Sequence, residues 1–120
     1  MSIHNHAAVL AEAGHPAVAL VAAAEAVDLY RELAIGNRDA HLPNLARSLR
    51  NAGYVAQLLG QVTERAIVQT AEGVELFTEL AVSEPAAFTG LRDAAAKTLA
   101  DLRDIATRSD EHDTTQDKIY

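Results

Sequence analysis

Apolar residues recur along this chain at helical spacing. Over residues 63–82, Ile67, Val74, Leu76, Phe77 and Leu80 fall largely on one side of a helix, while Glu72, Glu75 and Glu79 share another. Val27, Tyr30, Leu33 and Ala34 repeat the pattern upstream. No Asn-Gly or Asp-Gly pair separates alternating strands. The pattern predicts an all-α fold of five helices. The first covers residues 3–13 and is closed by Gly14. The second covers 16–35, with Pro16 in the first helical position and Gly36-Asn37 at its end. The third covers 42–59, with Pro43 in its first turn and Gly60 as its stop. The fourth covers 63–82 with Thr63 as N-cap, and the fifth opens at Ser83-Glu84-Pro85 and runs to about Thr107. From Ser109 the chain is polar and acidic. The expected organisation is one helical domain over 1–108 and a disordered tail over 109–120. Short connections predict antiparallel neighbours.

The pattern is also written twice. AEAVDLYRELAI, from Ala24, returns 47 residues later as AEGVELFTELAV, from Ala71, with seven of twelve positions identical. At a shift of 46, Ser2-Ile3-His4-Asn5 falls on Ser48-Leu49-Arg50-Asn51, and Gly14 falls on Gly60. A two-helix unit thus occurs over residues 1–39 and again over 40–82. A last helix follows alone. One helix pair cannot cover its own apolar face, whereas stacked pairs can.

Composition narrows the picture. The chain has 120 residues, enough for one domain. Its residues are 49% hydrophobic but only 4% aromatic, so the core must be built from thin, Ala-rich helices. A formal net charge of −7 argues against a nucleic-acid partner, which would need clustered Lys and Arg. The absence of cysteine excludes disulfides and fits a reducing, cytoplasmic setting. The run PAVALVAAA is too short to span a membrane and ends at Glu25. No Lys or Arg precedes it, so the basic n-region of a secretory leader is not seen, and a buried Ala-rich helix face is the expectation.

The second unit resembles the tetratricopeptide repeat. In LARSLRNAGYVAQLLG, the family's large, Leu-Gly, large and closing-Gly places hold Leu49, Ala52-Gly53, Ala56 and Gly60. The small residues expected seven apart in the next helix are Ala66 and Gly73, matched by Ala19 and Ala26 in the first unit. The likeness covers residues 2–85. It departs from the family in its 46–47-residue period, against the usual 34, and in Ala23 and Thr70, where an aromatic is common. It is similar to long-period variants from bacteria. The resemblance implies a scaffold-like protein-binding module, not an enzyme, with another protein or peptide held in a concave groove. Carried onto this chain, the groove residues are Arg47, Arg50, Asn51, Tyr54, Gln57 and Leu58, with His4, Asn5, Ala8 and Glu12 from the first unit. Some members of the family hold a ligand carboxylate there with Asn and basic residues. Asn5 and Asn51 stand at the matching Asn position.

Charge points the same way independently. Arg47 and Arg50 sit on a predicted helix without acids, while Glu25, Asp28, Glu32, Glu64, Glu72, Glu75 and Glu79 crowd the helices beside it. Paired arginines suit a carboxylate or an acidic peptide. The plainer reading is that they are solvated surface charges. Likewise Glu72, Glu75 and Glu79 read as a solvated face rather than an acid–base pair. His4, His6 and His15 do not form a metal set, because positions two apart on a helix diverge. Neither cofactor nor metal is expected, and no catalytic motif is present. The competing function is self-association as a homodimer, or membership of a longer repeat array of which this chain is a fragment. The first predicted helix is about five residues shorter than its counterpart. That would leave Leu33 and Ile35 partly bare.

Overall fold

A computed structural model describes the backbone over residues 15–119 and side chains over 17–109. The described fold is all-α. Its helices are α1 (Pro16–Gly36), α2 (Arg38–Leu58), α3 (Glu64–Ser83) and α4 (Pro85–Ile119). The helix expected over residues 3–13 lies outside the described residues.

The boundaries follow from local chemistry. Asn37 both ends α1 and starts α2. Its N–H donates to the Leu33 carbonyl, and its side-chain oxygen accepts from the Ala40 N–H at 3.3 Å. Asp39 then sits in the first turn, where the helix dipole favours a negative charge. This cap moves the start of α2 four residues ahead of the expected Leu42 and leaves Pro43 inside the helix. Gly60 closes α2 with a φ of 67°, a left-handed conformation that glycine adopts without steric cost. Gly60 and Gln61 donate back to Gln57 and Ala56, which satisfies two terminal carbonyls. Thr63 caps α3 by accepting from the Ala66 N–H at 3.1 Å. Ser83, expected as the cap of the last helix, instead ends α3. The Glu84 carbonyl accepts the opening bonds of α4 from Ala87 and Phe88. The α4 backbone is helical to Ile119, past the expected end near Thr107, and includes the acidic segment from Ser109. No glycine or proline follows Gly90, and Asp104 pairs with Arg108 at 2.9 Å, one turn apart.

Sequential helices run antiparallel. Ala19 and Ala23, early in α1, pack on Val55, late in α2, whereas Val27 meets Leu45 and Leu49. Phe77, late in α3, packs on Ala46 and on Phe88 and Ala95 of α4. Helices two apart run parallel. Arg31 and Arg38 reach Glu72 and Glu79, and α2 also touches α4. Small residues set the close approach of α2 and α3. A Cβ on Gly53 would run into Thr70 Oγ1, with Thr70 Cβ at 3.2 Å and Cγ2 at 3.3 Å. Thr70 is fully buried, and its hydroxyl donates to the Ala66 carbonyl at 2.7 Å, so it cannot swing aside without losing a buried bond. Gly53→Ala is expected to cost about 1–2 kcal/mol by overpacking. Adding Thr70→Ala should recover part of that loss. Chemical denaturation of the two single variants and the double closes the cycle, and simple additivity would exclude the clash.

Candidate functional site

Two parallel helices, α2 and α4, frame a surface depression of about 530 Å³. Arg50, Tyr54, Gln57 and Leu58 line it from α2. Ala94, Lys97, Thr98 and Asp101 line it from α4. The spacing explains the lining. Residues 50, 54, 57 and 58 recur at steps of three and four, as do 94, 97, 98 and 101, so each set occupies one helix face.

Its charges are unevenly matched. Asp101 accepts from Gln57 Nε2 at 3.2 Å and from Lys97 Nζ at 3.3 Å. These bonds, that from Gln57 first and that from Lys97 second, hold its carboxyl below the usual carboxylate range. Lys97 is thereby partly neutralised. Arg50 is not: it makes no ion pair among the described residues, and its Nε is buried without a hydrogen-bond partner. Arg47, one turn before Arg50 on α2, does not line the depression; its guanidinium carbon lies 5.8 Å from the centroid of the Phe88 ring.

Arg50, Tyr54, Gln57 and Leu58 are thus brought together. Arg47 is set one turn away, over Phe88. Asn51 does not line the depression; it is half-buried, with an unpartnered amide nitrogen. Asn5, His4, Ala8 and Glu12 lie outside the described residues. The sequence pattern does not single out Ala94, Lys97, Thr98 and Asp101, because the last helix reads only as a cap on the repeats. Their helical spacing marks one face of α4 but not which helix that face meets.

Leu33 and Ile35 are both exposed, Ile35 at 85%. Two positions apart on a helix, they leave it about 200° apart and do not form one patch. Ile35 instead borders a separate depression of about 220 Å³ with Leu42, Leu45 and Leu76.

Arg31 and Arg38 bound that second depression. Arg31 donates both terminal nitrogens to Glu72 at 2.9 and 3.0 Å, and Arg38 does the same to Glu79 at 2.8 Å twice. The Arg38 bond holds the Glu79 carboxyl below its ordinary range. Glu72 and Glu79 are therefore bidentate acceptors across helices, not merely a solvated face. Glu75 remains exposed to solvent.

Among the described residues, no helix is long and apolar enough to cross a membrane, and no cluster of His, Cys, Asp or Glu is placed to hold a metal. No family model, curated protein or solved structure matches this chain.

Proposed function

We propose that the chain is a protein-interaction module that takes an acidic or carboxylate-terminated peptide in the depression between α2 and α4. The observation that carries this reading is Arg50, a cation without a counter-ion at the lining, with a buried and unpartnered Nε. A guanidinium presents donors in a planar fork that a carboxylate matches at two points. Lys97 and Arg47 add positive charge nearby, and Tyr54 and Leu58 offer apolar surface to the peptide's side chains. The resemblance to tetratricopeptide repeats supports the same reading, since it sets peptide capture on the helix equivalent to α2. Self-association at Leu33 and Ile35 has less support, because the two side chains point to different sides of α1.

The test is fluorescence anisotropy with labelled Asp/Glu-rich heptapeptides that end in a free carboxylate, at low ionic strength. Arg47→Glu with Arg50→Glu is expected to weaken binding at least about tenfold, the scale of one lost charge-assisted contact. Helix content by circular dichroism should stay unchanged. Undiminished binding by the double variant would place the ligand elsewhere.

A further inference from the structure

The repeated sequence gives a second surface a partner chemistry. In the 47-residue register, Glu25, Leu29 and Glu32 of α1 correspond to Glu72, Leu76 and Glu79 of α3. The α3 set has a known fate within this molecule. Glu72 and Glu79 are gripped by Arg31 and Arg38, and Leu76 is half-buried beside them. The α1 set has the same spacing and occupies the corresponding face, yet no described residue covers it. Glu25 and Glu32 are exposed and make no hydrogen bond or ion pair among the described residues. Leu29 between them is 40% exposed. Val18 and Val21, at 55% and 56%, continue the same strip toward the start of α1. Asp28, at its margin, is already spoken for by its electrostatic pull on Arg31.

We infer that the outward face of α1, Val18–Val21–Glu25–Leu29–Glu32, docks a helix of another protein that carries two arginines seven residues apart. The template for the contact is the chain's own α1–α3 junction. Seven residues of helix span about 10.5 Å, so a parallel helix with this spacing meets both carboxylates at once. Apolar residues between its arginines would cover Leu29. A second copy of this chain is a poor fit, because Arg31 and Arg38 are already engaged. The equivalents one repeat later are Thr78 and Pro85, which supply no guanidinium.

The probe is a labelled Ala-rich helical peptide with one Arg-x6-Arg pair and a Leu between the arginines, compared with its Arg→Gln twin. Saturable, salt-sensitive binding to the intact protein is expected for the arginine peptide. It should fall at least about tenfold for the twin, and equally for the protein variant Glu25→Gln with Glu32→Gln. These exposed substitutions leave the core untouched, and circular dichroism verifies the fold. Three results would overturn the inference. One is no binding of the arginine peptide. Another is binding that survives Glu25→Gln/Glu32→Gln but disappears in Glu72→Gln/Glu79→Gln, which would mean that the peptide displaces an internal contact. The last is a dimer of the chain alone, seen by light scattering, that dissolves in Glu25→Gln/Glu32→Gln; the face would then belong to a second copy.

Discussion

Phe77→Ala is expected to lower stability by about 3–5 kcal/mol, the usual range for removing a buried aromatic. Phe77 is fully buried and is the largest side chain in the deepest part of the core. Its ring lies 6.3 Å from that of Phe88, inclined at 29°, and it joins Ala46 of α2 to Ala95 of α4. Few neighbours can fill the space it would leave. Ala46, Ala81 and Ala95 beside it are too short to reach in, and Phe88 and the surrounding leucines are held by their own contacts. A domain of this size shifts its midpoint by several degrees per kcal/mol, so thermal denaturation should show a fall of about 15–30 °C. Phe77→Leu, which keeps most of the volume, should cost much less. A midpoint within a few degrees of wild type for Phe77→Ala would mean that the core is not organised around this ring. The variant should also loosen Phe88, and with it the platform under Arg47.

Gly73→Leu is expected to cost about 3 kcal/mol, at the upper end of the range for overpacking. A Cβ at this position would already touch the Arg50 backbone nitrogen at 3.4 Å, Leu49 Cβ at 3.4 Å and the Ala46 carbonyl oxygen at 3.5 Å. Two of these atoms are backbone, so they move only if α2 moves. The remaining three carbons of leucine have nowhere to go. Gly73→Ala is the control. It meets the same atoms at the edge of normal contact, and its better helix propensity offsets the crowding. Thermal denaturation of the pair separates crowding from backbone effects. If leucine and alanine behave alike, the close approach of α2 and α3 is not set by this glycine.

The helix ends were legible where a single residue carries the signal. Pro16, Gly60, Thr63 and Pro85 each act through their own backbone or a bond within one turn, and each stands where its chemistry predicts. The start of α2 lies ahead of the position its proline predicts, because two local signals compete. Pro43 suits a first turn, but the Asn37 side chain reaches Ala40 and opens the helix earlier. The α2 half of the candidate site could be read from Arg47, Arg50 and Tyr54, since their helix is basic within an acidic chain. The α4 half could not, because which face of α4 meets α2 depends on how Phe88 and Ala95 seat against Phe77. The partners of Glu72 and Glu79 were hidden for a related reason: each pair is separated by 41 residues, beyond the reach of any local pattern.

Those two pairs also set the alignment of two helices that are not direct neighbours. The backbones of α1 and α3 do not pack on each other, so no apolar seam between them sets how one lies along the other. Were α3 displaced by about one turn, Arg31 could meet Glu75, but Arg38 would face Val82 and lose its acceptor. Displaced seven residues the other way, Arg38 would meet Glu72 while Arg31 opposed Arg65. A single alignment engages both arginines, and it is the one observed. Each pair is exposed and a weak stabiliser by itself. Together they work as the two marks of a vernier, tying α1 to α3 in one alignment while Phe77, Thr70 and Gly73 seat α3 against α2.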